Sequence, residues 1–193
     1  AQEQADLIRY LLELDGQVVP GDGFVASSGI VSMEVEAGQF APGQTIWEMM
    51  ETPEASGGRY VAPNQNEIGL VPGSEEAERI IRHEFTLQQG GDYEFWVRLS
   101  SNWETDSFFW RLTLPDGSQS GWHRWFQNLQ TDFNWEWRRW STDSDPAASG
   151  AEWSGLPAGR YILETTYRES YTQLDKFLIQ LESQPDPVGT GPD

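Results

Sequence analysis

Short runs in which apolar and polar residues alternate recur from Ile30 to Leu181, and they leave few folds open to this chain. A side-chain period of two belongs to a strand with one face buried. Ile30-Val31-Ser32-Met33-Glu34-Val35-Glu36 and Tyr93-Glu94-Phe95-Trp96-Val97-Arg98-Leu99 alternate this way, as does Arg79–Phe85 in part. Thr45–Met49, Arg59–Ala62, Ser107–Leu114, Trp122–Asn128, Asn134–Trp140, Arg160–Tyr167 and Leu174–Leu181 are further strand candidates. Turn signals fall between them at Gln89-Gly90-Gly91-Asp92, Leu114-Pro115-Asp116-Gly117 and Leu156-Pro157-Ala158-Gly159. About ten short strands with no helical period between them predict an all-β fold, an antiparallel β-sandwich.

The two ends read differently. Leu7, Ile8, Leu11, Leu12 and Leu14 fall at near-helical spacing and Asp15-Gly16 makes a stop, which predicts a short N-terminal helix over 3–14. Residues 1–15 are then a cap or the remnant of a preceding domain, 16–28 a Gly/Pro/Ser-rich linker, 29–183 the sandwich and 184–193 a flexible tail. The chain is expected to be part of a larger multidomain protein and to be monomeric.

Charge narrows the function. The 193 residues hold 31 Asp and Glu against 12 Lys and Arg, a net −19, which argues against nucleic acid as the partner. With no Cys there is no disulfide, thiol nucleophile or Cys-ligated metal, and no apolar run reaches the length of a membrane-spanning helix. Lys176 is the sole lysine; an acidic, lysine-poor surface suits a secreted, extracellular or periplasmic protein. The charge is uneven, however. Between Trp96 and Trp140 five Arg and five acidic residues cancel, and the same segment holds eight of the ten Trp. About half of these rings are expected in the core.

Four landmarks carry a family resemblance: Met33-Glu34-Val35-Glu36, Ala55-Ser56-Gly57-Gly58-Arg59-Tyr60-Val61, Gly90-Gly91-Asp92-Tyr93-Glu94-Phe95-Trp96-Val97-Arg98, and Leu156-Pro157-Ala158-Gly159-Arg160-Tyr161 running on to Leu174-Asp175-Lys176. In this order over Ile30 to Leu181 the chain resembles β-jelly-roll carbohydrate-binding modules of the family 6 and family 35 types. The resemblance implies a structural calcium ion held by Glu34, Glu36, Asp175 and a carbonyl near Arg59. Independently, i and i+2 on a strand would present Glu34 and Glu36 together, a repulsive pair unless a cation or an Arg lies between them; calcium takes such oxygens.

The resemblance also implies a polysaccharide or oligosaccharide ligand. A sugar ring stacks its C–H face on an aromatic ring and needs Asn, Arg or carboxylate partners for its hydroxyls. Trp103 and Trp125 are the expected stacking platforms, with Asn102, Arg124 and Asn128 as polar partners. Trp135 and Trp137, which share a face with Arg139, are further candidates. Such modules often place an Asn beside the last strand; here that loop reads Arg168-Glu169-Ser170-Tyr171-Thr172-Gln173, so Tyr171 or Gln173 substitutes. No catalytic residue is assigned: there is no Gly-x-Ser-x-Gly, His-Glu-x-x-His or phosphate loop. The expected role is non-catalytic targeting of an attached or partner enzyme to its polysaccharide. The alternatives are a small β-sandwich polysaccharide lyase or glycoside hydrolase, and a protein-binding adhesion domain.

Overall fold

The alternating runs become strands whose apolar residues meet between two sheets. The structure, a computed structural model, describes residues 23–26, 28–64, 77–101, 107–126, 133–140, 153–170 and 172–192. Its strands are β1 (Phe24–Val25), β2 (Ile30–Glu34), β3 (Trp47–Glu51), β4 (Arg59–Pro63), β5 (Ile81–Leu87), β6 (Tyr93–Ser100), β7 (Ser107–Thr113), β8 (His123–Phe126), β9 (Glu136–Arg139), β10 (Gly159–Tyr167) and β11 (Gln173–Leu181). One sheet runs β1-β5-β10-β7-β8; the other runs β3-β4-β11-β6-β9, with β2 also on β11. Every pairing is antiparallel except the parallel β1–β5 contact. This is the antiparallel β-sandwich that the alternation predicts, of the jelly-roll type that the resemblance implies. The helix expected over 3–14 lies outside the described residues. Within the expected linker, Phe24 and Val25 extend the first sheet.

The core is aromatic. Six of the nine described Trp are buried: Trp47, Trp96, Trp110, Trp125, Trp140 and Trp153. Trp153 stacks on Phe95 with centroids 3.9 Å apart, and Trp125 stacks on Phe108 at 5.1 Å. Trp140 meets Phe108, Trp110 and Phe177 edge-on. Edge-to-face and offset geometry is what ring quadrupoles favour.

Two irregularities position the site. On β11, Leu174 pairs with Leu99 and Lys176 with Arg98, which leaves Asp175 as the extra residue of a β-bulge. The bulge lets Leu174, Phe177 and Ile179 all face the core while Asp175 and Lys176 both lie opposite Arg98. The second is the chain end. Composition predicts a flexible tail over 184–193, but residues 184–192 form a strap across the outer face of the six-stranded sheet. The Gly189 carbonyl accepts hydrogen bonds from Arg98 Nε (2.9 Å) and Trp137 Nε1 (3.1 Å). The Pro192 carbonyl accepts from Lys176 Nζ and Ser32 Oγ, both at 2.8 Å. Buried cations need such acceptors, and neutral carbonyls supply them.

Candidate functional site

A cleft of about 610 Å³ opens at one end of the six-stranded sheet. Arg98 of β6 and Gln173, the first residue of β11, lie along it. Tyr60 of β4 and Thr52 and Glu54 of the β3–β4 turn line one side; Phe133, Asn134 and Trp135, leading into β9, line the other. Trp135 meets Tyr60 edge-on, with centroids 5.2 Å apart, and the Arg98 guanidinium sits 5.2 Å from the Trp135 ring centre. Both contacts hold Trp135 in place from inside the protein. Phe133 is 45% exposed and has a left-handed backbone, φ 54°. A bulky residue there costs roughly 1–2 kcal/mol, a strain that tends to persist at functional positions. Its N–H is anchored to the Ser101 carbonyl at 3.1 Å.

Beneath the cleft lies an ion network. Arg98 pairs with Asp175 and also donates through Nη2 to the Glu54 carbonyl at 3.0 Å. Asp175 accepts from the Ser56 N–H at 2.9 Å. Ser56 Oγ donates to Glu34 Oε1 at 2.7 Å, and Lys176 Nζ reaches the same oxygen at 2.9 Å. Burial pushes the Asp175 carboxyl up to about 6 even though Arg98 opposes the shift.

The expected metal residues come partly together. Glu36 is not on the strand with Glu34: β2 ends at Glu34, and Val35–Ala37 is a 3-10 turn, so the i, i+2 argument for the pair does not apply. The turn still buries the Glu36 carboxyl. Burial first, then the Glu34 and Asp175 charges, push its pKa up to about 7, with Arg59 opposing from 4.0 Å. Glu34 Oε2 and Glu36 Oε2 are both buried without a hydrogen-bond partner. Two orphaned carboxylate oxygens fit a hard cation that takes oxygen ligands. Asp175 fits less well, since Arg98 and Ser56 occupy it. Among the described residues no group of three acidic or His side chains stands close enough to hold a metal.

Of the expected sugar contacts, Trp135 lines the cleft and Trp137 lies beside it, its indole bonded to the strap. Trp125 does not serve as a platform. It is 0% exposed, because β8 pairs Trp125 with Phe108 and that register turns both rings inward; its Nε1 donates to the Arg139 carbonyl. Arg124 pairs in register with Phe109 on the other sheet, away from the cleft. Trp103, Asn102, Asn128 and Tyr171 lie outside the described residues. Tyr60, Phe133, Asn134, Thr52 and Glu54 were not anticipated. Tyr60 stood inside the Ser-Gly-Gly-Arg-Tyr turn, and that is the one signal that pointed to it.

The sandwich fold is similar to that of solved carbohydrate-active proteins. The isomalto-dextranase of Arthrobacter globiformis T6, solved with panose, superposes with a TM-score of 0.50 at 16% identity, over 78% of this chain and 23% of that one. A family 35 carbohydrate-binding module from Clostridium thermocellum gives 0.46 at 16% identity, over 80% of this chain and 98% of that one. The GH26-CBM35 β-(1,4)-mannanase of Podospora anserina gives 0.48 at 12%, over 83% and 29%. The chain thus spans about a quarter of the dextranase and the mannanase, and the likeness is one of fold. The chain matches no protein-family model and no curated protein in sequence.

Proposed function

We propose that this chain is a non-catalytic glycan-binding module whose ligand lies in the cleft between Tyr60 and Phe133–Trp135. One observation carries the reading: aromatic rings and hydrogen-bonding side chains converge there on a rigid sheet end. Phe133 and Trp135 offer ring surface to a sugar's C–H face, and Asn134, Gln173, Thr52 and Glu54 offer donors and acceptors to its hydroxyls. Binding rather than catalysis is supported by the cleft's acids. Among its described lining residues Glu54 is the one carboxylate, whereas glycosidases work with two across the bond.

Single-site affinity is expected between millimolar and micromolar, about −4 to −8 kcal/mol. That is useful when the module is joined to an enzyme and raises its local concentration at the polymer. The acidic, Cys-free composition with one Lys supports a place outside the cell. Calcium belongs to the same reading. Glu34 and Glu36 would hold it through their Oε2 atoms, and it would add positive charge where Lys176 and Arg59 reach only the Oε1 atoms, stiffening the turn after β2.

Trp135→Ala is expected to abolish retention in affinity gels of the polysaccharides that retard the wild type, while the melting temperature stays within a few degrees. Undiminished retention by a folded variant overturns the placement. Reducing-end and unsaturated-product assays on the same polymers are expected to show no turnover.

A further inference from the structure

The charge inside the cleft restricts which glycan it takes, an inference that rests on the glycan-binding reading above. A uronate carboxylate is held most strongly by a cation with free donors, whose hydrogen bonds are about twice as strong as those of neutral donors. Among the described lining residues the only cation is Arg98, which is 6% exposed. It is anchored on three sides: Nη1 to Asp175, Nη2 to the Glu54 carbonyl at 3.0 Å and Nε to the Gly189 carbonyl at 2.9 Å. Its guanidinium carbon lies over the Trp135 ring. Arg98 and Asp175 therefore cancel, and Arg98 works as a support for the aromatic wall. Lys176 of the same network is equally committed, to Glu34 and the strap carbonyl of Pro192.

Among the described lining residues the charge left is Glu54. Its carboxylate is exposed at the rim, where the Thr52 hydroxyl donates to it. A carboxylate only accepts, so it pairs with sugar O–H groups and repels a second carboxylate. The net −19 of the chain adds to that repulsion at low salt.

We infer that the cleft selects by charge: it binds uncharged glycan chains and rejects uronate-bearing ones, with Glu54 as the residue that sets the selection.

Matched polymers test this. Amylose, galactomannan and a mixed-linkage β-glucan would be compared with the same polymers oxidised at C6, where the primary alcohol becomes a carboxylate. For each neutral polymer that retards the protein, the oxidised form is expected to bind roughly ten-fold more weakly at low ionic strength, the gap closing near 1 M salt. Glu54→Gln is expected to narrow the ratio between the two forms, whatever it does to each affinity. Equal or tighter binding of the oxidised forms, or an unchanged ratio in E54Q, overturns the charge selection and leaves the glycan reading standing. If neither form of any polymer retards the protein, the glycan reading itself fails and this inference with it.

Discussion

Glu36 is the residue whose chemistry is most exposed to test. Its side chain is 7% exposed, and its pKa stands near 7 against an ordinary 4.5. A carboxyl raised on folding contributes its stability fully below about pH 4.5 and loses it as pH climbs through 7. In calcium-free buffer at about pH 8, Glu36→Gln is therefore expected to be more stable than wild type, by up to about 3 kcal/mol, with the gap closing near pH 4.5. Urea melts at both pH values check this, and calcium should raise the wild-type midpoint while leaving the variant unmoved. His83 runs the other way: full burial pushes it down to about 4, so its contribution is lost as pH falls. Comparing variant with wild type at each pH isolates Glu36. At this scale the sequence was half legible. The alternation over Asn134–Trp140 places Trp135, Trp137 and Arg139 on one face, but it does not say which face is inward. Arg occurs on both faces, so charge did not break the tie; for Trp125 the register of β8 against Phe108 did.

At the scale of elements, the strap is the part that composition concealed. Pro, Gly and Asp are the residues of disordered tails, yet here their exposed carbonyls are what Arg98 and Lys176 need. Gly191 shows how closely it seats. Its φ is +77°, and a Cβ there would lie 2.6 Å from Trp137 Cζ2. Gly191→Ala is expected to lift the strap locally, seen as a red shift in tryptophan emission as Trp137 becomes wetter. Ending the chain after Ser183 removes the carbonyl partners of both cations and should cost about 2 kcal/mol or more in chemical denaturation. An unchanged midpoint would mean that the strap is only laid on the surface. The strands themselves were readable because alternation is a local signal; their ends moved by about two residues where turns compete. The bulge at Asp175 was not readable, since it exists only against the partner strand β6.

Across the whole molecule, the neutral Trp-rich segment divides its labour. Trp110, Trp125 and Trp140 build the core, whereas Trp135 turns outward to a cleft completed by residues as distant in sequence as Thr52, Tyr60 and Gln173. A site gathered from five separate stretches leaves no contiguous motif, which is why the sandwich was legible and most of the cleft was not. The central claim is that this cleft takes sugar. Ten tryptophans give ten indole N–H signals, so titrating the ¹⁵N-labelled protein with an oligosaccharide from a retained polymer reads the site directly. The Trp135 resonance is expected to shift with saturation while those of the buried Trp110, Trp125, Trp140 and Trp153 stay in place. Saturable shifts confined to other indoles, with Trp135 unmoved, would contradict the account.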